Sequence, residues 1–327
     1  MVEDDPVSQR DAGLKPKKLR PWRGADMRET ALLGFFRLVV ATMPMPKWTD
    51  MAEIATRLGK GRRSSRFKRF AQRVSAVLAD VDDEAVFRLW RSYGATVNRR
   101  RISILATRYC PDWSPRIALT GREHLDRAIA AGQGTILWLD NFIHHPVIGK
   151  RAFSDLDYQA WQMSSVDHGF SSSRLGRSFL NPIQLAAELP LVRGRIEFDA
   201  GSALTATREV TRCLARNEIV RITNNAYIGR QRCLVPFGKS AMLPLATTPL
   251  NIAKRTGAAI LPVLVVEHEP FADYLVAVAP PLSVGTARHD DFEEAALAYA
   301  RYLEPLVEAY PDQWRGWEGV RTVSEDG

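Results

Sequence analysis

The feature that most constrains this chain is a repeated change of period between residues 117 and 310. Short apolar runs bounded by glycine or polar turns alternate with stretches in which apolar residues recur every three to four positions. The clearest run is GQGTILWLD (132–140). It is apolar throughout, which predicts a strand buried on both faces. DYQAWQMSS (157–165), EIVRITNN (218–225), AILPVLVVE (259–267) and DYLVAVAPPL (273–282) read as further strands, the last stopped by Pro280-Pro281. Between them, GSALTATREVTRCLARNE (201–218), LNIAKRTGA (250–258) and DDFEEAALAYARYLEPLVEAY (290–310) read as helices, the last ended by Pro311. TGRE (120–123) has the capping-box spacing, with Thr at the cap and Glu three residues on, and predicts a helix to Ala131. Strands separated by helices give an α/β domain with a mixed, largely parallel sheet covered on both faces.

The chain before this domain follows a different rule. From residue 27 to about 108 the spacing is helical throughout, and PDWSP (111–115) breaks it as a linker. The predicted organisation is a disordered basic arm (1–26), a helical N-terminal region (27–116), the α/β domain (117–317) and a tail (318–327). The apolar run at 31–43 is interrupted by Arg37 and is shorter than the roughly 20 residues that cross a bilayer. An amphipathic helix packed on the domain is expected there, with a helix in the membrane interface as the alternative.

Charge narrows the partners without choosing one. The formal net charge is +8, and its excess lies in KPKKLRPWR (15–23), GKGRRSSRFKRFAQR (59–73) and NRRR (98–101). Nucleic acid, anionic lipid and a phosphorylated small molecule all fit such blocks, as does a solvated basic face. Nucleic acid would require Phe67 and Phe70 to act as stacking platforms, yet their i, i+3 spacing suits a helix core contact better. Cys110, Cys213 and Cys233 are scattered and match neither a metal spacing nor a disulfide framework. The acidic, polar opening MVEDDPVSQRD is not a secretory signal. Dinucleotide, Walker-type phosphate and G-x-S-x-G motifs are absent from the sequence. His144 and His145 are neighbours and form no helical zinc pair, so no metal is expected.

The most chemically loaded stretch is LDNFIHHPVIGKRAF (139–153), where the first buried strand ends in Asp140, Asn141, His144 and His145. Four segments in order, this one included, resemble the lysophospholipid acyltransferase superfamily, in its branch of bacterial lipid A late acyltransferases (lauroyl and myristoyl transferases). They are GREHLDRAIAAGQGTILWLDNFIHHPVIGKRAF (121–153), LTATREVTRCLARNEIVRITNNAYIG (204–229), LVPFGKSAMLPLATTPLNIAKRTGAAILPVLV (234–265) and YLEPLVEAYPDQWRGW (302–317). The third looks like that family's Pro-Phe-Phe-Gly-like turn and small-residue helix. The fourth looks like its terminal helix and Pro-Glu-Gln-Trp/Tyr signature.

The resemblance implies a glycerolipid acyltransferase-like fold. It also implies O-acyl transfer from an acyl carrier protein or coenzyme A thioester to a hydroxyl of a lipid or glycolipid. No bound cofactor is implied beyond that donor, and the setting would be peripheral, on the cytoplasmic side of an inner membrane. The family's motif, H-x-x-x-x-E/D, pairs a base with the carboxylate that orients it. Here Asn141 stands at the His position and Pro146 at the carboxylate position, and neither does that job.

Three readings of the turn follow. His145, with His144 as its alternate, acts as base and Asp140 orients it in a reversed D-x-x-x-x-H; or the fold binds lipid or acyl carrier without transfer; or the histidines are ordinary, one capping a helix or packing on Trp138. Asn141, Asn224 and Asn225 are candidates to hydrogen-bond an acceptor, the last two otherwise a turn-forming pair. Gly238 and Lys239 would offer a backbone N–H and an ammonium to a phosphate or thioester oxygen, or Lys239 is a solvated turn residue; Arg221 and Arg230 would meet an anionic head group or stand as surface charges. His168 falls where the family carries an arginine, with Arg174 nearby. Glu304, Trp314 and Trp317 are expected to be structural.

Overall fold

The computed structural model describes residues 21–58, 62, 64–199, 201–224, 232–285 and 291–322. Four helices come first: α1 (Gly24–Thr42), α2 (Trp48–Arg57), α3 (Ser65–Val77) and α4 (Asp83–Tyr109). Ser64 and Asp82 cap α3 and α4, each accepting a backbone N–H from three residues on. α1 buries Leu33, Phe36, Val39 and Val40 as the packed helix expected for 31–43. It begins at Gly24, inside the stretch expected to be a disordered arm, and Arg23 is bonded to Ser172 there. Among the described residues no helix is long and apolar enough to cross a membrane.

Seven strands form the main sheet: β1 (Arg116–Thr120), β2 (Thr135–Leu139), β3 (Ala160–Ser165), β4 (Gly194–Phe198), β5 (Ile219–Thr223), β8 (Ala259–Glu269) and β9 (Asp273–Val278). Their order is β1-β9-β8-β2-β5-β3-β4. β2, β3, β4, β5 and β8 are parallel, and β9 pairs antiparallel with β8 and parallel with β1. The chain is therefore α/β with a mixed, mostly parallel sheet. β6 (Arg232–Phe237), β7 (Ala241–Ala246) and β10 (Arg321–Thr322) make a separate antiparallel sheet. β6 alternates buried and outward residues with period two, while β7 is buried at nearly every position, and the helix expected at 250–258 follows as Thr248–Thr256.

α5 (Arg122–Ala130) follows β1 directly. Thr120 ends the strand and is not the cap; Gly121 holds that position in the left-handed region, its missing Cβ leaving room for the Val278 carbonyl oxygen. α6 (Ile148–Ser154), α7 (Arg174–Phe179), α8 (Asn181–Glu188), α9 (Ala203–Ala215), α10 (Thr248–Thr256) and α11 (Asp291–Ala309) complete the helices used below. One core lies between the sheet and α3, α9, α10, α11 and the small sheet; a second lies between the sheet and α1, α2, α4, α5 and α6. The 111–115 linker is pinned, since buried Trp113 donates to the Phe271 carbonyl at 2.9 Å. Phe67 and Phe70 pack in T-shaped contacts with Phe87, Trp90 and Trp317, the helix core contact their i, i+3 spacing suits.

Candidate functional site

Strand alternation decides what the turn after β2 can assemble. Ile136 and Trp138 point into the first core and Leu137 and Leu139 into the second. Asp140 keeps the strand's register, its N–H donating to the Val263 carbonyl, and so faces with Trp138. There its carboxylate accepts from Trp314 Nε1 at 2.6 Å and Tyr299 Oη at 3.2 Å. Burial pushes the Asp140 carboxyl up to about 6, against the pull of those donors.

Beyond Asp140 the chain pairs with the C-terminal segment. Phe142 bridges Trp314, Ile143 N–H donates to the Gln313 carbonyl at 2.8 Å, and Arg315 N–H donates to the Asn141 carbonyl at 2.9 Å. Trp314 and Trp317 are buried as expected, and Trp314 also supplies a polar contact that packing alone does not describe.

The two histidines turn to the opposite face. β8 runs six residues past the Leu139–Val263 pairing, and this overhang carries Glu267 to His144, whose Nε2 lies 3.4 Å from Glu267 Oε2. Glu267 also accepts from Arg99 Nε at 2.6 Å, Tyr274 Oη at 2.8 Å and Phe271 N–H at 3.0 Å. Burial pushes this carboxyl up, but His144 and Arg99 outweigh it and hold it well below the ordinary carboxylate range. The His144 ring packs edge-on to Tyr274, and Trp138 packs on Tyr299. His144 is fully buried, its Nε2 meets Glu267 only at ion-pair distance, and its Nδ1 has no hydrogen-bond partner among the described residues, so it packs as part of the scaffold and does not face a substrate.

His145 is partly exposed and sits among cations. Burial first, then Arg221, Lys150 and Arg100, hold its imidazole well below its ordinary range, so it is neutral at pH 7. The reversed dyad is not assembled: Asp140 and His145 lie on opposite faces of the sheet. The physical reason is the two-residue period of the strand, which sends Asp140 toward α11 while the turn carries His145 toward α6.

Arg221 is not at the rim of a polar turn. It occupies the middle of β5, between Leu137 and Gln162 on the neighbouring strands, and is 1% exposed. Its three guanidinium nitrogens find no hydrogen-bond partner among the described residues. Lys150, on α6, is paired with Glu188 on α8, and Glu188 also receives His168 Nε2 at 2.8 Å and Gln184 Nε2 at 2.5 Å. His168 thus belongs to this buried network, while Arg174 begins α7 at the surface.

The remaining expected residues scatter. Asn224 is buried, its N–H on the Leu139 carbonyl and its Oδ1 accepting from Ala246 N–H at 3.4 Å, which ties it to β7. Asn141 is partly exposed at the turn. Asn225 and Arg230 lie outside the described residues. The Gly238 N–H is taken by Glu304 Oε1 at 2.7 Å, and Lys239 is exposed with its N–H on the Val77 carbonyl. The Gly238 N–H is therefore not available to an oxyanion, while the Lys239 side chain lies at the surface where the β6–β7 hairpin packs on the end of α3. Glu304 is structural, as expected.

A large groove opens beside the turn. It has a volume of about 1790 Å³ and runs between α1, α2, α3 and α4, with Ile143, Phe170, Arg315 and Trp317 in its wall. Ten arginines line it against three carboxylates, Asp26, Glu29 and Glu318. Apolar side chains alternate with that charge, Phe35, Ile54, Leu58, Phe87 and Trp90 among them. Arg100 belongs both to this wall and to the surroundings of His145.

Among the described residues no group of three or more His, Cys, Asp or Glu side chains could hold a metal ion. Sequence reasoning missed Glu267, Lys150 and Glu188. The signal available for Glu267 was a charged residue closing a nine-residue strand that is otherwise apolar. Comparison with protein-family models and with curated proteins returns no match for this chain.

Proposed function

We propose that this protein is an O-acyltransferase acting on an anionic amphiphile at a membrane surface. The acceptor, an acidic lipid or glycolipid, would lie in the arginine-lined groove with its apolar part against Phe35, Ile54, Leu58 and Phe87. The donor would be an acyl carrier protein or coenzyme A thioester. One observation carries this reading: a groove with ten arginines and apolar walls that abuts the turn after β2. The four-segment resemblance supports the reaction class.

His145 is the base in this reading. Being neutral, it can accept the acceptor hydroxyl's proton as the oxygen attacks the thioester carbonyl. The tetrahedral anion formed is stabilised by the cations around His145. Its collapse breaks the C–S bond, and the thiolate leaves with the proton from the imidazolium, giving an ester and a free thiol.

A second reading, binding without transfer, has its own support, since among the described residues no carboxylate is hydrogen-bonded to His145. The test is to mix the purified chain with labelled acyl-carrier or coenzyme A thioester and vesicles of acidic or neutral lipid. The transferase reading expects product with acidic acceptors and a loss of about 10²–10⁴-fold in His145→Ala. In Asp140→Asn the per-molecule rate of folded protein should hold. Retention on acidic vesicles without product from either donor would establish the binding reading instead. Transfer undiminished in His145→Ala would remove that residue as base.

A further inference from the structure

The sheet face under α6 and α8 holds a buried cation, Arg221, that no carboxylate among the described residues pairs with directly. On adjacent strands β4, β3, β5 and β2, Arg195, Gln162, Arg221 and Leu137 stand side by side in register. Arg195 is accounted for by Ser164 and Glu197. Above the row, Lys150 and Glu188 satisfy each other, with His168 and Gln184 completing Glu188. Arg100 reaches the same network through Gln184 Oε1 at 2.7 Å. Lys150, Arg100 and Arg221 all face the buried carboxylate of Glu188, with Glu29 also near Arg100, and among the described residues the guanidinium of Arg221 has none of its nitrogens bonded. The Phe153 ring at 5.6 Å from its Cζ is a weak substitute.

An unpaired buried cation is among the costliest arrangements a core can hold, and a planar guanidinium with free N–H groups matches two oxygens of one anion. A carboxylate would bring one negative charge and two acceptor oxygens. A phosphomonoester carries close to two negative charges at neutral pH and offers three acceptor oxygens. Gly149 lets α6 pack closely over the guanidinium: a Cβ there would lie 3.0 Å from Val265 Cγ2, 3.2 Å from Arg221 Nη2 and 3.9 Å from His145 Cβ.

The geometry points to a phosphate-binding site whose ligands are Arg221, Lys150 and His145, separate from the surface arginines of the groove. It stands whether or not the chain transfers acyl groups, because the readout is binding. The ligand is a phosphate group, arriving either as free inorganic phosphate or as the head group of a phosphorylated lipid.

The experiment is thermal unfolding of the full chain with inorganic phosphate, with a short-chain phosphatidic acid below its micelle concentration, and with chloride at matched ionic strength. At a ligand concentration a hundredfold above its dissociation constant, the site predicts a rise in Tm of roughly 5 °C with phosphate in one or both forms. A rise with the lipid alone assigns the head group as the source; equal rises assign the free anion. Arg221→Met should remove the rise, while its own Tm in chloride stays equal to or above wild type, because an unpaired charge has been replaced by an apolar chain. Arg69→Gln, in the groove, should keep the rise. No rise with either form, or a rise of full size in Arg221→Met, overturns the proposal. So does a loss of Tm in Arg221→Met chloride samples, which would mean the guanidinium is already satisfied by the protein.

Discussion

Of the charges buried on or beside the central sheet, Glu267, Asp140 and Arg221 differ most clearly in what surrounds them. Glu267 has Arg99, Tyr274, the Phe271 N–H and the His144 ring, and Asp140 has Trp314 and Tyr299. Arg221, equally buried, has no hydrogen-bonded partner among the described residues. The two carboxylates are held as structure is held, with donors reaching in from distant parts of the chain. The guanidinium is held the way a binding group is held, in place and unpaired. Burial alone therefore does not separate scaffold from site; completeness of partnering does.

The sharpest way to break this contrast is at Glu267. Glu267→Gln leaves buried Arg99 with only the more distant Asp312 carboxylate, 3.7 Å away, and urea unfolding should show a loss of about 3 kcal/mol. A change near zero would mean that this network is no better satisfied than Arg221, and the contrast would fail.

Asp140 gives an effect of similar size, through pH. Its folded carboxyl, at about 6 against an ordinary 3.8, keeps a proton that the unfolded chain has released between those values. The stability it contributes is fully present below about 3.8 and is lost as pH rises through about 6. Asp140→Asn has no such slope. Wild type should therefore fall relative to the variant by about 3 kcal/mol between pH 3 and pH 7, on the scale of 1.36 kcal/mol per pKa unit. A pH-independent difference between the two proteins would show that the carboxylate is solvated.

The smallest effect belongs to the groove. Arg69→Gln should alter stability by no more than about 0.5 kcal/mol. It should weaken retention on acidic vesicles about fivefold, from the roughly 1 kcal/mol that one cation contributes near such a surface. Equal retention at high and low salt would argue that the groove arginines do not meet lipid charge.

Much of the scaffold was legible in the sequence because period is local. TILWL is apolar at every position and becomes β2, buried on both faces; the spacing of apolar residues from 27 to 108 becomes four helices. The small sheet was not legible, since RCLVPF and AMLPLA are short and Pro-containing, and pair across a tight Gly238 turn. β4, GRIEF, was missed for the same reason of length.

The site was less legible because it depends on which face each residue takes. Asp140 and His145 are five positions apart, a spacing that suits a dyad, and only the register of β2 shows that they part company. Arg221 stood out as the one charge in an otherwise apolar strand, but its lack of partners is a property of the neighbours and not of the strand. Glu188 and Lys150, 38 residues apart, carry no mark in the sequence that they meet.

The bond between Asp140 and Trp314 joins residues 174 positions apart. At about 5–20 residues per second on the ribosome, β2 emerges roughly 9–35 s before the indole that completes it. Through that interval the growing chain carries a carboxylate it cannot bury, so the first half of the sheet stays unsealed until late in translation. A nascent polypeptide stalled before Trp314 should remain sensitive to protease at the turn after β2, and one stalled well beyond it should not.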